Sequence, residues 1–112
     1  MTTALADHFL IVPPTGLLEV VHSDHPEQFD IEKALRDRGG QGTFVHLSHG
    51  GVTLSWFTAD YGQLNPRARE VFHRVVDAHF MFTGPVIFRG IDERLLGDIV
   101  GLLSLRDTAG GS

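Results

Sequence analysis

The chain has 112 residues, a formal net charge of −5 and no cysteine. Hydrophobic residues make up 42% of it and charged residues 21%, which is ordinary for one globular domain that buries a core without disulfides. The absence of cysteine excludes disulfide and thiolate chemistry, and the negative charge argues against binding nucleic acid through its phosphates, which needs clustered Lys and Arg.

We expect a single domain over residues 1–112, with an ordered core over about 8–105 and a flexible tail at 107–112. The N-terminal stretch lacks the basic start and long apolar run of a signal peptide. No segment approaches the roughly 18 apolar residues that a membrane span needs. These features predict a cytoplasmic protein with no membrane partner.

Two apolar runs near the N-terminus, separated by Pro13-Pro14-Thr15-Gly16, predict a β-hairpin. A four-residue loop would set Val12 opposite Leu17. In that register, four apolar side chains share one face of the hairpin: Phe9, Ile11, Leu18 and Val20.

The stretch SDHPEQFDIEKALRDRGG predicts a helix that ends at Gly39, with Asp24 or Asp30 as its N-cap. Its inner face is formed by Ile31, Ala34 and Leu35. The acidic residues between His22 and Glu32 meet no basic residue within that stretch; they are Asp24, Glu27, Asp30 and Glu32. Acidic residues are common near a helix N-terminus, where the helix dipole favours them, and this explains the stretch. The alternatives are an acidic face that binds a basic partner, or a mimic of the charge of DNA.

The stretch VHLSHGGVTLSW predicts a second hairpin with a two-residue turn at Gly50-Gly51. The turn pairs three residues with three others: His49 with Val52, Leu47 with Leu54, and Val45 with Trp56. One face is then apolar, and Trp56 should be buried on it. The other face carries His46, Ser48, Thr53 and Ser55. Because residues three apart on a strand point to opposite faces, His46 and His49 should diverge and cannot share one metal ion without a bulge.

The stretch DYGQLNPRARE predicts the start of a helix, with Asn65 as N-cap and Pro66 as first residue. Its inner stripe is Ala68, Val71, Phe72, Val75 and His79. Free backbone N–H groups at a helix start can bind an anion, and Tyr and Arg are frequent in binding hot spots. The candidate binding residues are therefore Tyr61, Gln63, Asn65, Arg67 and Arg69, joined by Arg89 only if the fold brings it near. The alternative is a capped helix whose arginines are simply solvated.

The C-terminal part predicts a short buried strand at TGPVIFRG and a last helix capped by Asp92. The inner residues of that helix are Leu95, Leu96, Ile99, Val100 and Leu103. Gly97 and Gly101 would allow close backbone approach to a strand of the same chain or to a second subunit, which makes a homodimer possible. The whole pattern predicts an α+β fold: two β-hairpins and a fifth short strand form a mainly antiparallel sheet packed by about three helices.

The seven histidines raise the question of a metal site. The candidate groups are His22 with His25, His46 with His49, and His73 with Asp77 and His79. His73 and Asp77 lie one helical turn apart, which suits a ligand pair and equally suits a surface hydrogen bond. We expect no metal and no other cofactor, with His73 and Asp77 as the alternative. No nucleophile elbow, Walker loop or dinucleotide fingerprint occurs, so we favour a protein that is not an enzyme.

Four segments resemble those of a small family of uncharacterised proteins from actinobacteria, their phages and plasmids: VPPTGLLEVV, KALRDRGG, TLSWFTADYGQLNPRA and TGPVIFRG. The resemblance spans roughly residues 8 to 91. That family is a domain of unknown function, often on mobile elements near antirestriction genes, so the resemblance implies no catalytic residues. It implies a small accessory protein of a phage or mobile element that binds and modulates a host or defence protein. The alternatives are a small His/Asp-dependent enzyme, possibly metal-binding, and an acidic antirestriction factor.

Overall fold

A computed structural model describes residues 7–59 and 62–111, with side chains described as far as Leu103. The strands are β1 His8–Val12, β2 Glu19–His22, β3 Thr43–His49, β4 Val52–Thr58, β5 Leu64–Asn65, β6 Phe82–Thr83 and β7 Val86–Arg89. The helices are α1 Ile31–Asp37, α2 Pro66–Val76 and α3 Glu93–Gly111, with a 3-10 turn at Pro26–Gln28. Five strands form one antiparallel sheet in the order β2-β1-β7-β4-β3, and β5 pairs with β6 in a small second sheet. The predicted α+β class is confirmed.

Helices cover both faces of the large sheet, so its central strands are buried on both sides. On one face, Leu10, Leu54 and Phe88 pack with the inner residues of α2 and α3. On the other face, Leu35 of α1 packs in a cluster with Ile87 and three other buried residues of β1 and β4. A strand buried on both faces has no polar side to alternate with its apolar one, which explains the continuous apolar run FLIV in β1.

The second hairpin has the predicted register. His49 pairs with Val52, and Val45 pairs with Trp56. Gly50 and Gly51 have φ angles of 61° and 83°, the left-handed values that this two-residue turn requires of both residues. The two histidines diverge as expected. The Nδ1 atom of His46 lies 2.8 Å from the Ser55 hydroxyl, whereas the ring of His49 lies 6.3 Å from the ring of Phe72 on α2.

The first hairpin forms, but its predicted register is wrong by one residue. Phe9 pairs with Val21 and Ile11 pairs with Glu19, so the connection runs from Pro13 to Leu18. The two prolines that open it have no N–H group to donate, and pairing resumes only at Glu19. The burial of both faces of β1 removed the alternating pattern that would have fixed the register.

Each helix begins at a predicted N-cap. Asp30 accepts a hydrogen bond from Lys33 N at 3.0 Å, and Asp92 accepts one from Arg94 N at 3.0 Å. At the other end of α2, Asp77 adopts a left-handed conformation with φ 53°, and the helix ends at Val76. The prediction that His79 lies on the inner face of α2 is therefore wrong, because His79 follows the helix and is exposed. The flexibility expected for residues 107–112 stays a prediction.

The two glycines of α3 do not approach a strand of the same chain, so that prediction is wrong. A Cβ atom built on Gly97 or on Gly101 meets nothing within 4 Å among the described residues. Both glycines lie on the exposed side of the helix, whereas Leu96, Ile99 and Leu103 are buried on its inner side. The homodimer through this helix stays a prediction.

Gly97→Ala and Gly101→Ala are each expected to raise the free energy of unfolding by up to about 1 kcal/mol, because alanine is the better helix former and the added methyl group has room. Urea denaturation of each variant measures the change. A loss of stability would contradict the open position of these glycines. Light scattering of the same samples shows whether either substitution changes the number of subunits.

Candidate functional site

Asn65 is fully buried, and its side chain joins three separate parts of the backbone. Its Nδ2 donates to the carbonyl oxygens of Val12 and Gly84, each at 2.8 Å. Its Oδ1 accepts from Ala68 N at 3.0 Å, which is the N-cap bond of α2. Both Nδ2 hydrogens and the Oδ1 atom therefore have partners. Asn65 holds the end of β1, the β6–β7 turn and the start of α2 together, and it is not placed to touch a partner.

The other candidate binding residues lie around this buried amide. Arg67 is half-buried and its Nη1 donates to Pro13 O at 3.2 Å, so it ties α2 to the first hairpin loop. Gln63 and Arg69 are exposed. Tyr61 lies outside the described residues. Arg89 does not join the group, because it pairs with Phe9 at the opposite end of β7 from the α2 start.

A cleft of about 700 Å³ opens beside Gln63 at this end of the large sheet. Its walls are the loop after β1, the α1–β3 connection, the end of β4, the segment before β5 and the β6–β7 turn. Exposed hydrogen-bonding side chains line much of it, among them Gln41, Thr43, Thr58 and Gln63. The cleft can therefore offer a partner hydrogen-bond donors and acceptors from backbone and side chains.

Two features of the α1–β3 connection shape one wall of the cleft. Gly42 has a φ of 116°, and a Cβ atom placed on it would lie 2.1 Å from Thr58 O, so only glycine fits this close approach to β4. Arg38 lies at the same wall, where its Nε donates to the Glu19 carboxylate at 2.5 Å and its Nη1 donates to Ala34 O at 2.8 Å. Because its guanidinium is ion-paired, this wall adds little net charge to the cleft.

The histidine groups expected from sequence spacing do not form the most compact cluster. His73 Nδ1 lies 3.7 Å from Asp77 Oδ1 on the protein surface, and the ring of His79 stacks on that of His73 at 4.3 Å. Among residues 7–59 and 62–103, one group of three His, Asp or Glu side chains could hold a metal ion: Asp7, His8 and His22, whose ligand atoms lie within 4.8 Å of one another. His22 thus meets Asp7 and His8 across the hairpin.

We call Asp7, His8 and His22 the Asp7 cluster. Strand pairing brings its three residues together. His8 lies opposite His22, and Ser23 N donates to Asp7 O at 2.9 Å, which extends the β1–β2 ladder. One Asp7 oxygen lies 2.9 Å from His8 Nδ1 and the other lies 2.9 Å from His22 Nε2. The hydrogen bond with His8 is the main cause that lowers the pKa of the Asp7 carboxyl below its usual value. Sequence spacing does not reveal this cluster, because His22 lies 15 residues after Asp7 and meets it only through strand pairing.

Three residues of the acidic stretch that ends at Glu32 contact groups close to them in sequence. Asp30 caps α1, and Glu32 Oε2 lies 3.0 Å from Arg36 Nη2 one turn along the helix. Asp24 lies beside His22, with 3.8 Å between the carboxylate oxygen and His22 Nδ1. Asp30 and Glu32 are therefore engaged by groups of α1 itself, which fits acids placed near a helix start.

None of the helices in the described ranges is long and apolar enough to cross a membrane. The family resemblance drawn from the four sequence segments stays an expectation. No family model, no curated protein and no solved structure matches this chain.

Proposed function

We propose that the chain is a small non-enzymatic binding protein that contacts a protein partner through the cleft and the neighbouring start of α2. We call this region the cleft surface and define it by Gln41, Thr43, Gln63 and Arg69. Tyr61 is close to Gln63 in sequence. The observation that carries the proposal is the buried Asn65, whose three hydrogen bonds join the end of β1, the β6–β7 turn and the start of α2, next to the exposed Gln63 and Arg69.

A fixed backbone favours binding because fewer conformations are lost when a partner docks. Arg67 adds to this by joining the start of α2 to the loop at Pro13. The surface near the start of α2 combines the exposed Arg69 with an exposed apolar side chain, Leu64, which is 56% accessible. Arginine and aromatic residues surrounded by less critical contacts are typical of binding hot spots.

The chemistry of the cleft points to an uncharged polar segment of a partner protein. Amides, hydroxyls and backbone groups line it, and its Arg38 is neutralised by Glu19. The resemblance to proteins of phages and mobile elements supports a host or defence protein as that partner. On the same basis we propose that the protein is encoded by a phage or mobile element and acts in the cytoplasm, that of the host cell if phage-encoded.

The two alternative functions have less support from the structure. A His/Asp-dependent enzyme built on His73 and Asp77 would use two side chains that lie 3.7 Å apart on an exposed helix end. An acidic antirestriction factor would need a long negative stripe, but Asp30 and Glu32 are engaged by groups of α1 itself. Neither arrangement is favoured by a specific observation.

The double variant Gln63→Ala/Arg69→Glu is expected to reduce capture of the partner from host lysate by about tenfold or more, since it removes two exposed groups of the cleft surface. Its stability should change by less than about 0.5 kcal/mol, as for other surface substitutions. Quantitative mass spectrometry of the captured proteins measures the first effect, and thermal melting measures the second.

Arg94→Glu on α3 is the matched control, because Arg94 is also exposed and the substitution changes the charge equally. It should leave capture unchanged. Tyr61→Ala tests the neighbouring aromatic side chain by the same assay. Undiminished capture by the double variant would rule out the cleft surface and make the acidic segment from His22 to Glu32 the next surface to test.

A further inference from the structure

The Asp7 cluster places two imidazoles and one carboxylate at the end of the first hairpin, away from the cleft surface. We propose that it binds a divalent late first-row transition metal, for which Zn²⁺ is the representative ion. Each of the three side chains offers one ligand atom, and these three atoms all lie within 4.8 Å of one another. This assignment departs from the sequence-based expectation of a metal-free protein, which weighed only groups of His and Asp residues close together along the chain.

The backbone already holds the three residues in position. His8 and His22 are direct partners in the β1–β2 ladder, and the bond from Ser23 N to Asp7 O fixes the residue before β1. Ligand atoms on one tetrahedral zinc ion lie about 3.3 Å apart, given metal–ligand distances of about 2.0–2.1 Å. The Asp7 oxygens are 2.9 Å from the two ring nitrogens. Because all three ligand atoms lie within 4.8 Å of one another, small rotations of the side chains would bring them to these distances around one ion.

The donor set selects the class of metal. Imidazole nitrogen suits zinc, copper, nickel and iron, whereas magnesium and calcium take oxygen ligands. The side chains of His8, Asp7 and His22 are 29%, 45% and 50% exposed, so water has access to the ion. A site with three protein ligands and a position open to water differs from a closed structural metal site, so we expect the ion to exchange and not to hold the fold together.

Asp24 supplies a partner for the ring nitrogen of His22 that faces away from the cluster. Its carboxylate oxygen lies 3.8 Å from His22 Nδ1, while His22 Nε2 faces Asp7. A carboxylate behind a ligating histidine fixes the orientation of the ring and makes the ligand nitrogen more basic. The 3.8 Å separation is longer than a hydrogen bond, so Asp24 would take this positioning role only after a rotation of its exposed side chain.

Zinc titration of the chelator-treated, metal-free full chain, in competition with a fluorescent zinc indicator, tests the proposal. We expect one zinc ion per chain. His8→Ala and His22→Ala should each weaken binding by about tenfold or more, and Asp24→Asn should weaken it less, because removal of a ligand exceeds the loss of an outer partner. His25→Ala and His73→Ala are matched controls that should leave the affinity unchanged.

Cobalt replacement gives a second measurement, since the visible spectrum of bound Co²⁺ reports its ligands. We expect that spectrum to be lost in His22→Ala. If that variant does not fold, as judged by circular dichroism, His22→Gln retains an amide that can still bond to Asp7 and takes its place. Chelator alone should leave the melting temperature of the wild type unchanged, because the apolar core packs without the ion.

No zinc binding in large excess of the ion would overturn the proposal and leave a hydrogen-bonded cluster only. Unchanged affinity in both the His8 and the His22 variants would also overturn it. Loss of binding in His73→Ala would assign the ion to the other histidine group instead.

Discussion

Replacing Trp56 with alanine is expected to lower the free energy of unfolding by about 3–5 kcal/mol, as for other core aromatic residues. Trp56 is only 5% exposed, and it pairs with Val45 across the second hairpin. Its ring meets that of Phe82 edge-on at 4.9 Å and lies 5.7 Å from that of Phe80. Removal of the indole would leave a cavity between these rings, which urea denaturation would detect as a lower midpoint.

Leu47→Ala is the matched control for this prediction. Leu47 points to the same face of the sheet from the edge strand β3, but it is 44% exposed. Its truncation should cost less than about 1 kcal/mol, because much of the side chain is already in water. A loss below about 1 kcal/mol for Trp56→Ala as well would contradict the assignment of faces in the second hairpin.

Replacing Asn65 with alanine is expected to cost about 2–4 kcal/mol, because it removes an N-cap and leaves two carbonyl oxygens without their donors. The carbonyl groups belong to Val12 and Gly84, at the end of β1 and in the β6–β7 turn. The loss should therefore spread beyond α2. Hydrogen exchange at residues near Val12 and Gly84 would show whether these segments loosen together with the helix start.

Asp30→Ala is the control that measures the cost of losing an N-cap alone, without the bonds that Asn65 makes to distant carbonyl groups. Asp30 caps α1 through one bond to Lys33 N and is exposed, so its removal should cost about 1 kcal/mol. The excess cost at Asn65 measures the bonds to the two distant carbonyl groups. Equal costs at the two positions would contradict the account of Asn65 as the residue that joins three segments.

The second hairpin could be predicted in detail because two local signals agree. The pair Gly50-Gly51 permits the left-handed turn, and the flanking residues sort into an apolar and a polar face in only one register. The first hairpin offers no such check. Residues Phe9–Val12 are all buried, so a shift by one residue exchanges one apolar side chain for another.

The candidate sites could be predicted only where they depend on local structure. The cap at Asn65 follows from its position before Pro66, but its bonds to Val12 and Gly84 depend on how the chain folds back. The pairing of His8 with His22 likewise requires the correct hairpin register. The end of α2 was missed because Asp77, and not a glycine, adopts the left-handed conformation there.

Site-specific photo-crosslinking tests the proposed cleft surface most directly. A benzophenone amino acid placed at Gln63 would lie at the cleft, whereas the same group at Arg94 would lie on α3 away from the cleft walls. We expect a covalent adduct with the captured partner from position 63 and none from position 94. A partner captured in equal amount that crosslinks from position 94 and not from position 63 would contradict the proposal that this protein binds through its cleft surface.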